Sequence, residues 1–291
     1  MNSQQSEPVA KRNAESRTYQ PFDRFSDGPF LAIKRFLAEI ARHRSHISTV
    51  FIDDFKAGYR GTALGVFWNF VLPLVPVSVY ILLVNLRVFP TFEGMNPALY
   101  IGFNVTLWVL FTGMITRPIQ VVKSRNAETM MTALPMSAAI VASFAQLCFD
   151  TLVRGALVVL LVVVFGQWPN VAIFDLLLAL MFATMFCFSI GLTLSILSMI
   201  FSDIARLVAI LLQYGIFVSG VIFPVSTMGP LAVLETTNPF NVIISASRDA
   251  IFAGGYAHTP ELLVWTGASS LLMLVSINFF YIMEHRIRGV V

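Results

Sequence analysis

Hydrophobic positions along this chain do not alternate with polar ones; they run together. Five uncharged runs, 63–86, 98–116, 176–201, 207–223 and 262–283, approach or exceed the roughly 20 residues a helix needs to cross a bilayer core. A sixth, 138–165, is interrupted only by Asp150 and Arg154. Lipid offers no partner for backbone N–H and C=O groups, so each run must satisfy its own and is expected to be helical. The pattern predicts an all-α, polytopic membrane protein with six transmembrane helices.

Basic residues set the orientation. Lys and Arg crowd the N-terminal segment; Arg117, Lys123 and Arg125 follow the second run, Arg206 the fourth, and Arg286 and Arg288 the last. The alternate connections carry only Arg87 near Glu93, or no charge at all across 166–172. Both termini are therefore expected in the cytoplasm.

Two stretches depart from the simple pattern. Segment 224–261 is too apolar for an ordinary outer loop and is broken by Pro224, Pro230, Pro239 and Gly254–Gly255. Its apolar pieces, 231–234 and 242–252, are too short to span, which predicts a periplasmic re-entrant helical hairpin between spans five and six. Near the other end, Ile33, Phe36, Leu37 and Ile40 recur at helical spacing, resumed by Ile47, Val50, Phe51 and Phe55, with Lys34, Arg35, Glu39, Arg42 and His43 between them. Residues 30–60 thus read as an amphipathic helix at the cytoplasmic interface. It serves either as a surface anchor or as a helix that docks a cytoplasmic partner or gates a pathway. Residues 1–29 are expected to be a disordered cytoplasmic terminus, and 61–291 the six-span domain.

Composition excludes a soluble protein. Of 291 residues 57% are hydrophobic and 12% charged, and ten of the 19 Lys and Arg precede Gly61, which leaves the remainder too poor in charge to face water. Cys148 and Cys187 lie in apolar runs and read as buried thiols. His43 and His46 are three apart but have no third ligand near, so no metal is expected.

The chemistry that is missing narrows the function. No glycine-rich phosphate loop is present, no H-E-x-x-H and no G-x-S-x-G. The four histidines lie outside the spans, and no titratable cluster converges at membrane depth. The chain is not expected to be an enzyme or to carry a cofactor; any work it does draws energy from another chain.

Two motifs point to a family. Asp54-Phe55-Lys56-Ala57-Gly58-Tyr59-Arg60-Gly61-Thr62-Ala63-Leu64-Gly65-Val66-Phe67-Trp68, followed by Pro73, resembles the entry to the first span of ABC-2 type permeases that export O-antigen, capsule or teichoic acid. Phe201-Ser202-Asp203-Ile204-Ala205-Arg206-Leu207, continuing through Gln213 to Phe223-Pro224, resembles the same family's cytoplasmic turn and fifth span. Asn238-Pro239-Phe240 and the surroundings of Arg248 resemble its hairpin. Gly58 stands where many members carry a basic residue.

The resemblance implies a bacterial inner-membrane half-transporter. Two copies would form the pathway for a polysaccharide or lipid-linked glycan. Two copies of a separate ATP-binding subunit, holding ATP and Mg, would dock on the cytoplasmic face. An ABC-2 permease for drug or small-lipid efflux is the alternative. Membrane lipid is the other expected contact, and no nucleic acid is.

Candidate residues follow. Lys56, Tyr59 and Arg60 stand at the turn into the first span, where a helix N-terminus attracts anions; they are either a site for a lipid pyrophosphate or topology-setting cations at the head groups. Phe67, Trp68, Trp108, Phe111, Tyr214 and Phe217 offer faces on which sugar rings can slide, or else ordinary packing. Arg117, Lys123, Arg125 and Glu128 lie on the largest inner connection, the expected contact with the ATPase. Asp150 and Arg154, one helical turn apart, are expected to pair inside the membrane, for structure or in the pathway.

Overall fold

The computed structural model describes residues 29–59, 94–125, 136–227 and 229–290, with isolated positions between 61 and 86. The first expected span therefore lies largely outside the described residues, as does the terminus 1–28. Among the described residues every regular element is helical. The helices are α1 (Pro29–Arg42), α2 (Arg44–Tyr59), α3 (Pro97–Arg125), α4 (Met136–Phe165), α5 (Ile173–Ile200), α6 (Asp203–Val218), α7 (Pro239–Phe252) and α8 (Thr259–Val290). Four of them, α3, α4, α5 and α8, are long and apolar enough to cross a membrane.

α3 is the central element, 72% buried in its most apolar window against 11% for α4. It packs along both α4 and α5, and α5 packs in turn along α8. Close approach of α3 and α5 depends on two residues that look like flaws in the sequence. Pro118, inside α3, has no N–H to give the carbonyl of Met114. That carbonyl lies against Gly191 of α5, where a Cβ would sit 2.5 Å from it. Helix 3 also continues past Thr116, where the apolar run ends, because Arg117 is neutralised within the bundle rather than solvated.

The fifth apolar run is shorter as a helix than as a sequence. α6 has 16 residues, about 24 Å long at 1.5 Å per residue, against a core of about 30 Å. The chain then leaves helical geometry at Ser219–Phe223. Gly220, at φ +66°, makes the turn with its Cα–H side pressed on Asn241. Freed carbonyls find side-chain donors: Val218 accepts from Asn238 Nδ2 at 2.8 Å, and Gly220 from Tyr100 Oη at 2.9 Å and Asn104 Nδ2 at 3.2 Å. Side chains thus take over carbonyls that the end of the helix releases inside the bundle.

The following segment, after short turns at Val225–Thr227 and Gly229–Val233 and one turn of helix at Leu234–Thr237, enters α7. Asn238 caps that helix through Phe240 N–H at 3.0 Å, with Pro239 as its first residue. Val242, Ile243, Ile244 and Ala246 are fully buried against α3 and α5. The stretch expected as a re-entrant hairpin is thus built of short helical pieces.

The N-terminal segment is two helices where the spacing predicts one. The break falls at His43, whose N–H and ring Nδ1 both reach the carbonyl of Glu39, at 3.1 and 2.8 Å. α1 buries Ala32 and Phe36 against the inner ends of α4 and α8; Phe36 meets Phe280 edge-on at 6.3 Å. α2 instead runs along α4, and Phe55 meets Phe149 edge-on at 5.0 Å.

Candidate functional site

Beyond Arg206, α6 carries a concentration of exposed apolar and aromatic side chains. Leu207, Ile210, Leu211, Tyr214, Phe217 and Val218 recur at three- and four-residue intervals and so share one face. All six are exposed, Tyr214 at 64% and Phe217 at 44%. The opposite face, with Ile204, Ala205, Val208, Leu212 and Ile216, packs on the core. Gly215 lets α6 approach the buried Trp108, whose ring also meets Phe240 at 5.5 Å.

The expected pathway aromatics therefore separate. Tyr214, Phe217, Phe67 and Trp68 are exposed, the last two by 58% and 39%. Trp108 and Phe111 are buried, Phe111 completely, because α3 is the central helix and its aromatics fill the space between α5, α6 and α7. Neither stands on a surface that a polymer could touch. Among the lipid-phosphate candidates, Lys56 is exposed near the end of α2, and Tyr59 closes that helix. Arg60 lies outside the described residues.

The expected intramembrane pair is corrected. Asp150 binds Arg117 across the α3–α4 contact, with 3.3 Å between Nη2 and Oδ2, while its other oxygen accepts from Gln146 Nε2 at 3.0 Å. Each carboxylate oxygen thus has one direct partner, while Arg154 one turn on lies beyond ion-pair distance and interacts with Asp150 only through space. Arg117, an expected coupling residue, is thus engaged with α4 while its side chain stays about one third exposed. Of the other coupling candidates, Lys123 is exposed, its Nζ 3.5 Å from the Ser202 carbonyl in the α5–α6 turn. Arg125 ends α3, with its side chain outside the described residues, and Glu128 lies in 126–135, also outside them.

Sequence reasoning missed two clusters. At the N-terminal end of α4, the Met136 N–H donates to Glu284 Oε1 of α8 at 2.9 Å, and the Ser137 hydroxyl to Glu39 Oε2 of α1 at 3.1 Å. Two carboxylates at a helix N-terminus offset its partial positive charge. They clamp three helices where the connection from α3 arrives, and Glu284 is only 3% exposed. A terminal acid followed by basic residues looks solvated, so only the fold reveals it.

Near the N-terminal end of α3, Arg248 stacks over the Tyr100 ring, 4.8 Å from its centre, and donates to its hydroxyl at 3.0 Å. Asp249 holds the same guanidinium at 2.8 Å. Tyr100 in turn binds the Gly220 carbonyl, so α3, the end of α6 and α7 are tied by one chain of contacts. Next to it, Asp175 accepts from the Tyr256 N–H at 2.8 Å. Burial, followed by the carboxylates Asp249, Glu235 and Glu261, pushes the Tyr256 phenol well above its usual range, so it stays neutral.

Comparison with known proteins agrees with this arrangement. The sequence model of the ABC-2 type transporter family matches residues 45–252. The O-antigen export system permease protein RfbA of Myxococcus xanthus is 24% identical over 250 residues, covering 82% of this chain and 92% of that one. With its long apolar helices, the chain belongs to the ABC-2 type transporter family and is a multi-pass membrane permease.

Proposed function

We propose that the chain is the membrane-spanning subunit of an ATP-driven exporter that carries a polysaccharide or lipid-linked glycan from cytoplasm to periplasm. Two copies form the pathway in the bacterial inner membrane, each with six spans and cytoplasmic termini. Two ATP-binding subunits, which hold ATP and Mg, drive them from the inner side. The observation that carries this reading is the exposed apolar stretch of α6 from Leu207 to Val218, with Tyr214 and Phe217 on it. An aromatic ring presents a flat face to the C–H side of a sugar and fixes no register, which suits a sliding polymer. Phe67 and Trp68 extend the surface, Lys56, Tyr59 and Arg60 receive the lipid phosphate, and the 224–261 segment re-enters from the periplasm as a cap. The relative's name, an O-antigen export permease, supports the cargo class.

The test is the double variant Tyr214→Ala/Phe217→Ala, reconstituted with the ATP-binding subunit. Glycan export is expected to fall about tenfold, since each lost aromatic contact is worth on the order of 1 kcal/mol. Co-purification of the ATPase should be unchanged. Export at the wild-type rate contradicts the reading. Unimpaired transport of a short lipid, with no glycan moved by either protein, would assign the chain to small-lipid efflux.

A further inference from the structure

Among the described residues Arg154, in the middle of a membrane helix, makes no direct ion pair; the charge of Asp150, one turn away, reaches it only through space. α4 has 30 residues, which places Arg154 about 5 Å outward of its midpoint. Asp150 is taken by Arg117 and Gln146, so the group of three charges keeps a net +1. Among the described residues no carboxylate lies within ion-pair distance of Arg154, and its buried Nε has no hydrogen-bond partner. The side chain lines a cavity of about 260 Å³ between α3, α4 and the segment around Leu74 and Ser78. Aliphatic groups, Leu157 and Leu160 among them, form most of the wall. Leu74 and Leu160 are 47% and 57% exposed, so the cavity opens sideways on the bilayer-facing surface.

An uncompensated cation at this depth is costly. Reaching for the outer head groups does not relieve it, because side chains on a helix lean toward its N-terminus, which for α4 is the cytoplasmic end. The hydroxyl of Ser78 already donates to the Leu74 carbonyl and that of Thr106 to the Gly102 carbonyl, which leaves Arg154 as the cavity's donor. What complements the site is a phosphate attached to an apolar chain. A resident phospholipid keeps its phosphate at the bilayer surface, roughly 15 Å from the midplane. Only a lipid being carried across brings its phosphate to the depth of Arg154.

We infer that the Arg154 cavity is a relay site for the phosphate or diphosphate of a lipid-linked cargo in transit, with the first carbons of its chain along Leu157 and Leu160. This rests on the proposed export of a lipid-linked glycan.

The test uses the complex with its ATP-binding subunit in nanodiscs of zwitterionic lipid, and a farnesyl diphosphate analogue carrying a photoreactive group in its tail. Wild type is expected to give adducts within 154–161. The yield should drop about tenfold in Arg154→Gln, as a lost charged hydrogen bond implies, and be largely kept in Arg154→Lys. The farnesol analogue should label neither. Equal labelling of wild type and Arg154→Gln overturns the inference. So does loss of labelling in an Arg154→Lys protein that melts like wild type. Competition by phosphatidylglycerol as strong as by unlabelled farnesyl diphosphate would make the occupant a resident lipid and overturns it too. Adducts near Lys56 report the entry site and are scored separately. In the export assay Arg154→Gln should lose transport and keep ATPase binding; wild-type transport overturns the relay. Should wild type move no glycan at all, the export reading fails, while the labelling result stands by itself.

Discussion

Gly191→Leu should leave the chain unable to assemble into a monodisperse, solubilised protein. A Cβ at this position would lie 2.5 Å from the Met114 carbonyl oxygen and 3.1 Å from the Ile115 Cα. Both obstacles are backbone, and no rotamer change moves them. Pro118 aggravates the collision, because the Met114 oxygen lacks its helical partner and is turned toward Gly191. Overpacking a core ordinarily costs about 1–3 kcal/mol, when side chains can give way. Here the whole α3–α5 contact, which holds the centre of the bundle, must separate. Gly191→Ala is the graded control, expected to lose about 1–3 kcal/mol in a denaturant titration. A Gly191→Leu protein that unfolds at the wild-type midpoint would show that α3 and α5 do not meet as described.

The second large effect is expected at Asp150. Removing its carboxylate in Asp150→Ala strands Arg117 and Arg154 together, two like charges within the bundle. Breaking a buried pair by deleting one partner costs about 3 kcal/mol or more, whereas replacing both members with apolar groups is often nearly neutral. Asp150→Leu/Arg117→Leu should therefore recover most of the stability that Asp150→Ala loses. The midpoint of unfolding in mixed detergent measures both. If the double variant is no better than Asp150→Ala, Arg117 is not the partner that matters. Arg154→Leu, by contrast, breaks no ion pair and should not destabilise.

Much of this architecture was legible in the chain. Long apolar runs become α3, α4, α5 and α8 because the bilayer demands length and lack of charge, both plain in sequence. The amphipathic start is legible for the same reason, its apolar positions being local to one helix. What escaped was decided by partners far apart. The end of the fifth run at Val218 depends on donors from Tyr100, Asn104 and Asn238, none of which is marked by spacing. Arg117 and Asp150 pair although 33 positions apart in sequence, whereas spacing can only suggest Asp150 with Arg154. Burial of Trp108 and Phe111 follows from α3 being central, and a hydrophobic run does not disclose its neighbours. The break at His43 was invisible because a histidine capping Glu39 reads as one more polar-face residue.

The account's central claim is that this membrane body moves cargo only with energy from a companion. The direct measurement is uptake of a radiolabelled lipid-linked glycan into inverted vesicles holding the chain with its ATP-binding subunit. Uptake is predicted with ATP, and not with the chain alone, with a non-hydrolysable nucleotide, or with an ATPase lacking its catalytic carboxylate. Uptake by the chain alone, or none by the complete, ATP-hydrolysing assembly, would contradict it.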